Sequence, residues 1–260
     1  MISIKSKREI EVMRRAGDIL ARCFLEIEPM IAEGVRTSDI DKMASEFIRT
    51  HNAVPSFLGV RGFADGAPPY PSSACISINE EVIHGLPGPR KFRGGDIVSI
   101  DMGVYYDGFH SDMARTFAVG PVSDLARELI RVTEESFWRG VGNAVAGKRV
   151  SDISRGIQDF VEAAGFSVVR EYVGHGIGAE MHEQPQIPNY DDKSVRRSQR
   201  LSNGMTLAIE PMVNAGGRDV EVKSDKWTVV TKDRSLSAHY ENTVLVNDDA
   251  PIILSRVYAA

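Results

Sequence analysis

The chain has 260 residues, 42% of them hydrophobic and 26% charged, with a formal net charge of −5 and a pI near 5.7. That composition is ordinary for a folded globular protein, and the acidic balance excludes broad electrostatic binding of DNA. Two cysteines, Cys23 and Cys75, exclude a disulfide framework and point to a reducing, cytoplasmic setting, while no window holds the roughly 20 apolar residues that a membrane span requires.

Residues 6–31 read as the first helix. Ser6 and Glu9 form a capping-box pattern, and Ile10, Met13, Gly17, Leu20, Phe24, Ile27 and Ile31 recur every three or four positions as one apolar stripe. A second helix is expected over 38–51, starting near Thr37 or Ser38 and burying Ile40, Met43, Phe47 and Ile48. The stretch 56–73 is rich in Gly and Pro and reads as a long surface loop, functional or flexible. Residues 74–78 then read as a short strand.

The segment 95–117 is a hairpin carrying one carboxylate on each arm. Asp107-Gly108 favours a tight two-residue turn, which sets Tyr106 opposite Phe109 and Gly103 opposite Asp112. Alternation along each strand then makes Asp101 and Asp112 diagonal neighbours on one face. Two carboxylates so placed repel unless a cation lies between them.

Helices follow at 123–146, with Gly147 as the stop, and at 151–164, ended by Gly165. Strands are expected at 167–171, 205–210, 220–223, 227–231 and 239–246, and the charge-rich segment 191–202 reads as a solvated connection.

The chain also echoes itself. Gly95-Asp-Ile-Val-Ser-Ile-Asp101 has a counterpart in Gly204-Met-Thr-Leu-Ala-Ile-Glu210, and each is preceded by a His-Gly pair, His84-Gly85 and His175-Gly176. A pair of helices stands before each His-Gly. This order suggests two pseudo-symmetric halves, about 1–120 and 121–260, of one domain with a shared cleft.

Collected across the halves, Asp101, Asp112, His175, Glu210 and Glu241 form a donor set of carboxylates and one imidazole without thiolate. Such a set suits Mn, Fe, Co, Zn or Ni rather than a sulfur-bound structural zinc. Four carboxylates exceed the charge of one divalent ion and favour two ions, commonly about 3.5–4 Å apart in hydrolases.

The segments CISINEEVIHGLPG, DIVSIDMGVYYDGFHSDMARTF, YVGHGIGAEMHEQPQIPNY, GMTLAIEPMVNAGG and WTVVTKDRSLSAHYENTVLV closely resemble the type I methionine aminopeptidase family. The resemblance implies a mixed α/β (α+β) pita-bread fold, with antiparallel sheet and covering helices around a central dinuclear metal site. It implies removal of the initiator methionine from nascent polypeptides whose second residue is small, in the cytoplasm, at the ribosome, by a monomer that binds neither DNA nor membrane. By position, Asp112 and Glu241 would bridge both ions, Asp101 would chelate one, and His175 with Glu210 would hold the other. Glu210 would also accept and return a proton, His182 would contact the scissile carbonyl oxygen, and His84 would lie beside the substrate peptide. Tyr70, Cys75, Met181 and Trp227 fall where the family builds its methionine side-chain pocket.

Some features depart from the common pattern. Ala179-Glu180-Met181 precedes His182 where many relatives carry arginine and then phenylalanine, and the loop 56–73 is longer than expected. No Cys/His zinc-binding extension precedes residue 6, which suits a bacterial-style enzyme. Two alternatives share the implied fold: a Xaa-Pro aminopeptidase or prolidase, and a binding module without metals.

Overall fold

Ser6 starts the first helix as the capping box predicts. Its side chain accepts from the Glu9 N–H, and the Glu9 carboxylate accepts from the Ser6 N–H at 2.7 Å, so two donors orphaned at a helix start are satisfied. This helix, α1, is Lys7–Ile27 and runs on into a 3₁₀ turn, Glu28–Met30. The computed structural model describes residues 2–62, 66–192 and 198–257. Residues 63–65 of the Gly- and Pro-rich stretch and 193–197 of the charge-rich connection lie outside the described residues.

The other helices are α2 (Thr37–Thr50), α3 (Asp124–Val141) and α4 (Val150–Ala163). Helix α3 ends five residues before the predicted end at 146. Gly142 and Asn143 are weak helix formers, and beyond them Val145 and Ala146 pair with Asn247 instead, so tertiary contact draws the chain out of the helix.

A nine-stranded sheet organises the chain, and all its pairings are antiparallel. The path runs Val54–Pro55, Ile97–Tyr106, Phe109–Ala118, Glu241–Leu245, Thr206–Ile209, Gly174–Gly176 and Glu183–Ile187. Ala74–Ile78 also pairs with Ile97–Tyr106, and Ile252–Ile253 with Glu241–Leu245. Strands far apart in the sequence therefore meet where Phe109–Ala118 lies against Glu241–Leu245. The hairpin register is the predicted one, with Tyr106 opposite Phe109 and Gly103 opposite Asp112, and both turn residues have positive φ, 45° at Asp107 and 93° at Gly108.

One face of this sheet carries the cores. Val98, Ile100, Met102 and Val104 pack with residues of α1 and α2, while Leu207, Ile209 and Val244 pack with residues of α3 and α4. Alternation sends the residues between them to the opposite face.

The predicted strand 239–246 is broken at Tyr240. Ser237–His239 pairs with Met212–Asn214 in a small three-stranded sheet, whereas Glu241–Leu245 pairs with Thr206–Ile209 in the large one. Its partner changes sheets at Glu210-Pro211, and the Tyr240 N–H meets the Pro211 carbonyl at 3.3 Å. The predicted strand 167–171 shortens to Ser167–Val168, the part that pairs with Val213 and Asn214.

Candidate metal centre

Cross-strand register gathers the chemistry. Cys75 is opposite Asp101, Asp101 opposite Ala114, and Ala114 opposite Glu241, so these four form one row across three pairings and share a face. Asp112 lies two residues from Ala114 on that face. On the far side, His175 is opposite Ala208, which places Glu210, two residues on, beside the same floor. Ligand atoms of Asp112, His175 and Glu241 all lie within 4.8 Å of one another, and His175 Nε2 is 3.5 Å from Glu210 Oε1. Asp101 and Glu210 line the same cavity, of about 610 Å³.

Gly174 and Gly176 make this packing feasible. A Cβ at Gly174 would strike the Ala208 carbonyl, and one at Gly176 the Gln184 carbonyl, so His175 sits on a strand whose neighbours approach backbone to backbone.

Ionising these carboxylates together is costly unless a cation lies among them. Burial pushes the Asp101 carboxyl up to about 8. Asp112, Glu210 and Glu241 are held well above the carboxylate range by burial first and then by one another's charge or that of Asp101. Asp101 Oδ1 and Glu241 Oε1 are buried without a hydrogen-bond partner. The nearby Arg115 guanidinium is committed to backbone carbonyls of Ala114 and Glu241, at 2.7 and 2.6 Å, and to Asn242 Oδ1. Burial lowers His175 to about 3, which keeps a neutral imidazole with its Nε2 toward Glu210, while Nδ1 faces the Gly176 carbonyl at 2.8 Å. Unpartnered carboxyl oxygens and a neutral imidazole nitrogen on one largely buried floor fit a divalent cation. Burial raises the Cys75 thiol well above its ordinary range, and its sulfur is not in the group of converging ligand atoms.

Around the floor stand the other residues singled out by sequence. His84 and His182 line the cavity, the His182 ring 4.4 Å from that of His175 and the His84 ring edge-on to Tyr172 and Trp227. Tyr70, Cys75 and Trp227 form one buried cluster with Phe57, Val60 and Leu86 against it. The Tyr70 hydroxyl donates to the Gly85 carbonyl at 3.0 Å, and the Trp227 indole N–H to the Pro68 carbonyl at 2.9 Å. Met181 is not brought to this cavity. It packs with Met13, Ile177, Leu245 and Leu254, because the turn that aims His182 inward directs the preceding side chain the other way.

Sequence reasoning passed over His110 and His239. Each precedes a proposed ligand by two residues, Asp112 and Glu241, which was the available signal. His110 meets Ser56 Oγ at 2.9 Å through Nδ1, and burial and then His182 lower it to about 4.

Comparison with known proteins agrees with this arrangement. Metallopeptidase family M24 matches residues 11–248. Methionine aminopeptidase of Clostridium perfringens is 50% identical over 257 residues, covering 99% of this chain and 100% of that one. The crystal structure of methionine aminopeptidase from Thermotoga maritima superposes with a TM-score of 0.92 at 42% identity, over 98% of this chain and all of that one. Prolidase from Pyrococcus furiosus superposes at 0.75, with 24% identity over 98% of this chain and 66% of that one, a likeness of fold alone. The prolidase alternative is thus distant, and the mixed α/β architecture is that of the pita-bread enzymes. With a donor set suited to divalent ions on one sheet face, and with near-full-length relatives of this kind, the chain belongs to metallopeptidase family M24 and stands among its methionine aminopeptidases.

Proposed function

We propose that the chain removes N-terminal methionine from nascent polypeptides whose second residue is small, using two divalent ions held by Asp101, Asp112, His175, Glu210 and Glu241. The observation that carries this reading is the placement of all five side chains around one cavity whose apolar end is the Tyr70, Cys75 and Trp227 cluster. Divalent ions bound there supply Lewis acidity, which activates water near neutral pH and polarises the scissile carbonyl.

The chain's own groups do the rest. Tyr70, Cys75 and Trp227 take the unbranched thioether side chain, and the fixed ring edges exclude wider branched ones. The carboxylate floor attracts the free α-amino group and so favours cleavage at a chain end. Glu210 accepts the proton of the attacking water and returns it to the departing amine. Neutral His182 donates to the carbonyl oxygen as charge develops on it, and His84, framed by Tyr172 and Trp227, borders the peptide. In this reading the enzyme works as a monomer in the cytoplasm, on polypeptides leaving the ribosome. Two free, buried cysteines suit a reducing compartment, and among the described residues no helix is long and apolar enough to cross a membrane.

The test is hydrolysis by chelated and then anaerobically reconstituted protein. Release of methionine from Met-Ala-Ser, with none of alanine from Ala-Pro-Ala, is expected. Cleavage of Ala-Pro-Ala in preference would overturn the assignment.

A further inference from the structure

His239 has no role in the ligand set or in the mechanism above, yet it is among the most enclosed polar side chains near the site. It is 2% exposed, and neither ring nitrogen has a hydrogen-bond partner. It ends the strand Ser237–His239, opposite Met212, at the point where the chain crosses at Tyr240 into the large sheet. That crossing sets it behind Glu210, with His239 Nε2 4.0 Å from Glu210 Oε2. The other oxygen, Oε1, faces His175 Nε2 at 3.5 Å. One carboxylate thus stands between two imidazoles, one for each oxygen.

The two imidazoles are not equivalent. His175 belongs to the group whose ligand atoms converge, together with Asp112 and Glu241, and His239 does not. An ion held by His175 and Glu210 would leave the oxygen on the His239 side as a largely enclosed acceptor open to a donor. His239 faces that oxygen at 4.0 Å, about 1 Å beyond the hydrogen-bond range of about 2.7–3.2 Å. Carboxylates that bind metal are commonly held by such outer donors, which fix their orientation.

We propose that His239 is a positioning residue of the metal centre, whose Nε2–H donates to Glu210 Oε2 and holds that carboxylate in place to bind an ion. This rests on the metallopeptidase reading given above. It requires the tautomer protonated at Nε2, and it assigns His239 no direct bond to metal.

The experiment is calorimetric titration of chelated protein with Mn(II) alone, using wild type and the variants His239→Gln, His239→Asn and His239→Ala. Glutamine places its amide nitrogen where Nε2 lies, whereas asparagine places it nearer to Nδ1. Gln should therefore bind Mn(II) within about threefold of wild type, while Asn and Ala bind 10–100-fold more weakly. Thermal unfolding of each metal-free protein checks that the variants are folded. Wild-type affinity in Asn and Ala overturns the proposal, because the donor would then be dispensable. Loss in Gln equal to that in Ala, at an unchanged metal-free melting temperature, also overturns it, since the imidazole itself would be needed. Failure of wild type to take up Mn(II) would instead sink the underlying metal reading, a result separable from either of these.

Discussion

The Thr243 hydroxyl replaces a rung of the sheet for Asp112. Backbone pairing between their strands stops at Asn242 and Met113, and there Thr243 Oγ1 accepts from the Asp112 N–H at 2.8 Å and donates to the Asp112 carbonyl at 3.1 Å. The ladder opens at a proposed ligand without orphaning its backbone. Thr243→Val keeps the shape and removes the hydroxyl, leaving a buried N–H unsatisfied. Unfolding of the metal-free variant in urea should show a loss of about 1–3 kcal/mol.

Asp112→Asn and Glu241→Gln change charge with little change of volume. Both side chains are buried on the metal floor, so each variant should lose metal-dependent cleavage of Met-Ala-Ser while circular dichroism reports an unchanged fold. Full activity in either would contradict the proposed ligand set.

His182→Ala should behave differently. The ring lies 4.4 Å from that of His175 but is absent from the converging ligand group, so turnover should fall at least 10²-fold, the lower end for a general acid or hydrogen-bond donor, while metal content stays near wild type. Parallel loss of metal and activity, measured by elemental analysis and peptide hydrolysis, would count against the role.

Stability of the metal-free protein should fall above neutral pH. A carboxyl whose folded pKa is raised, such as Asp101 at about 8, favours folding below the unfolded value, and that contribution is lost as pH rises through the folded one. Histidines lowered by burial, His84 to about 4 and His239 to about 3, act oppositely, but only below the unfolded value of about 6.5. Between about pH 7 and 9 the carboxylates set the sign. In chelator, the melting temperature should be lower at pH 9 than at pH 7, and excess Mn(II) should narrow the gap.

Lys5 and Glu183 form a largely enclosed ion pair at 2.6 Å that ties the segment before α1 to the turn carrying His182. Lys5→Met should destabilise by roughly 3 kcal/mol through the unpaired carboxylate left behind, and adding Glu183→Gln should restore part of that loss. A double-mutant cycle by chemical unfolding measures the coupling.

How much could be read from sequence differed by residue. The hairpin register followed from Asp107-Gly108 alone, because a two-residue turn leaves the following pairs no freedom. The stripes of α1 and α2 were equally plain. The strand Gly174–Gly176 was not, since glycine gives no strand signal and these two are explained only by neighbouring carbonyls distant in sequence. The break at Tyr240 was hidden for a similar reason: an apolar run does not show that its two ends pair in different sheets. That break places His239 behind Glu210. The family resemblance placed Met181 in the methionine pocket, but consecutive side chains in a turn diverge, and Met181 joins the core beside α1.

The row Asp101, Ala114, Glu241 has a further consequence. Neighbouring strands lie about 4.8 Å apart whatever their side chains, so two strand spacings fix the separation of the outer backbones at about 10 Å. Ala114, fully buried between them, adds only a methyl group to the gap. The main chain therefore acts as a ruler that sets the width of the receptor before an ion arrives. If ions are held there as proposed, a sheet whose spacing does not depend on them predicts that stripping and replacing metal is a reversible exchange rather than an unfolding, checked by circular dichroism in chelator.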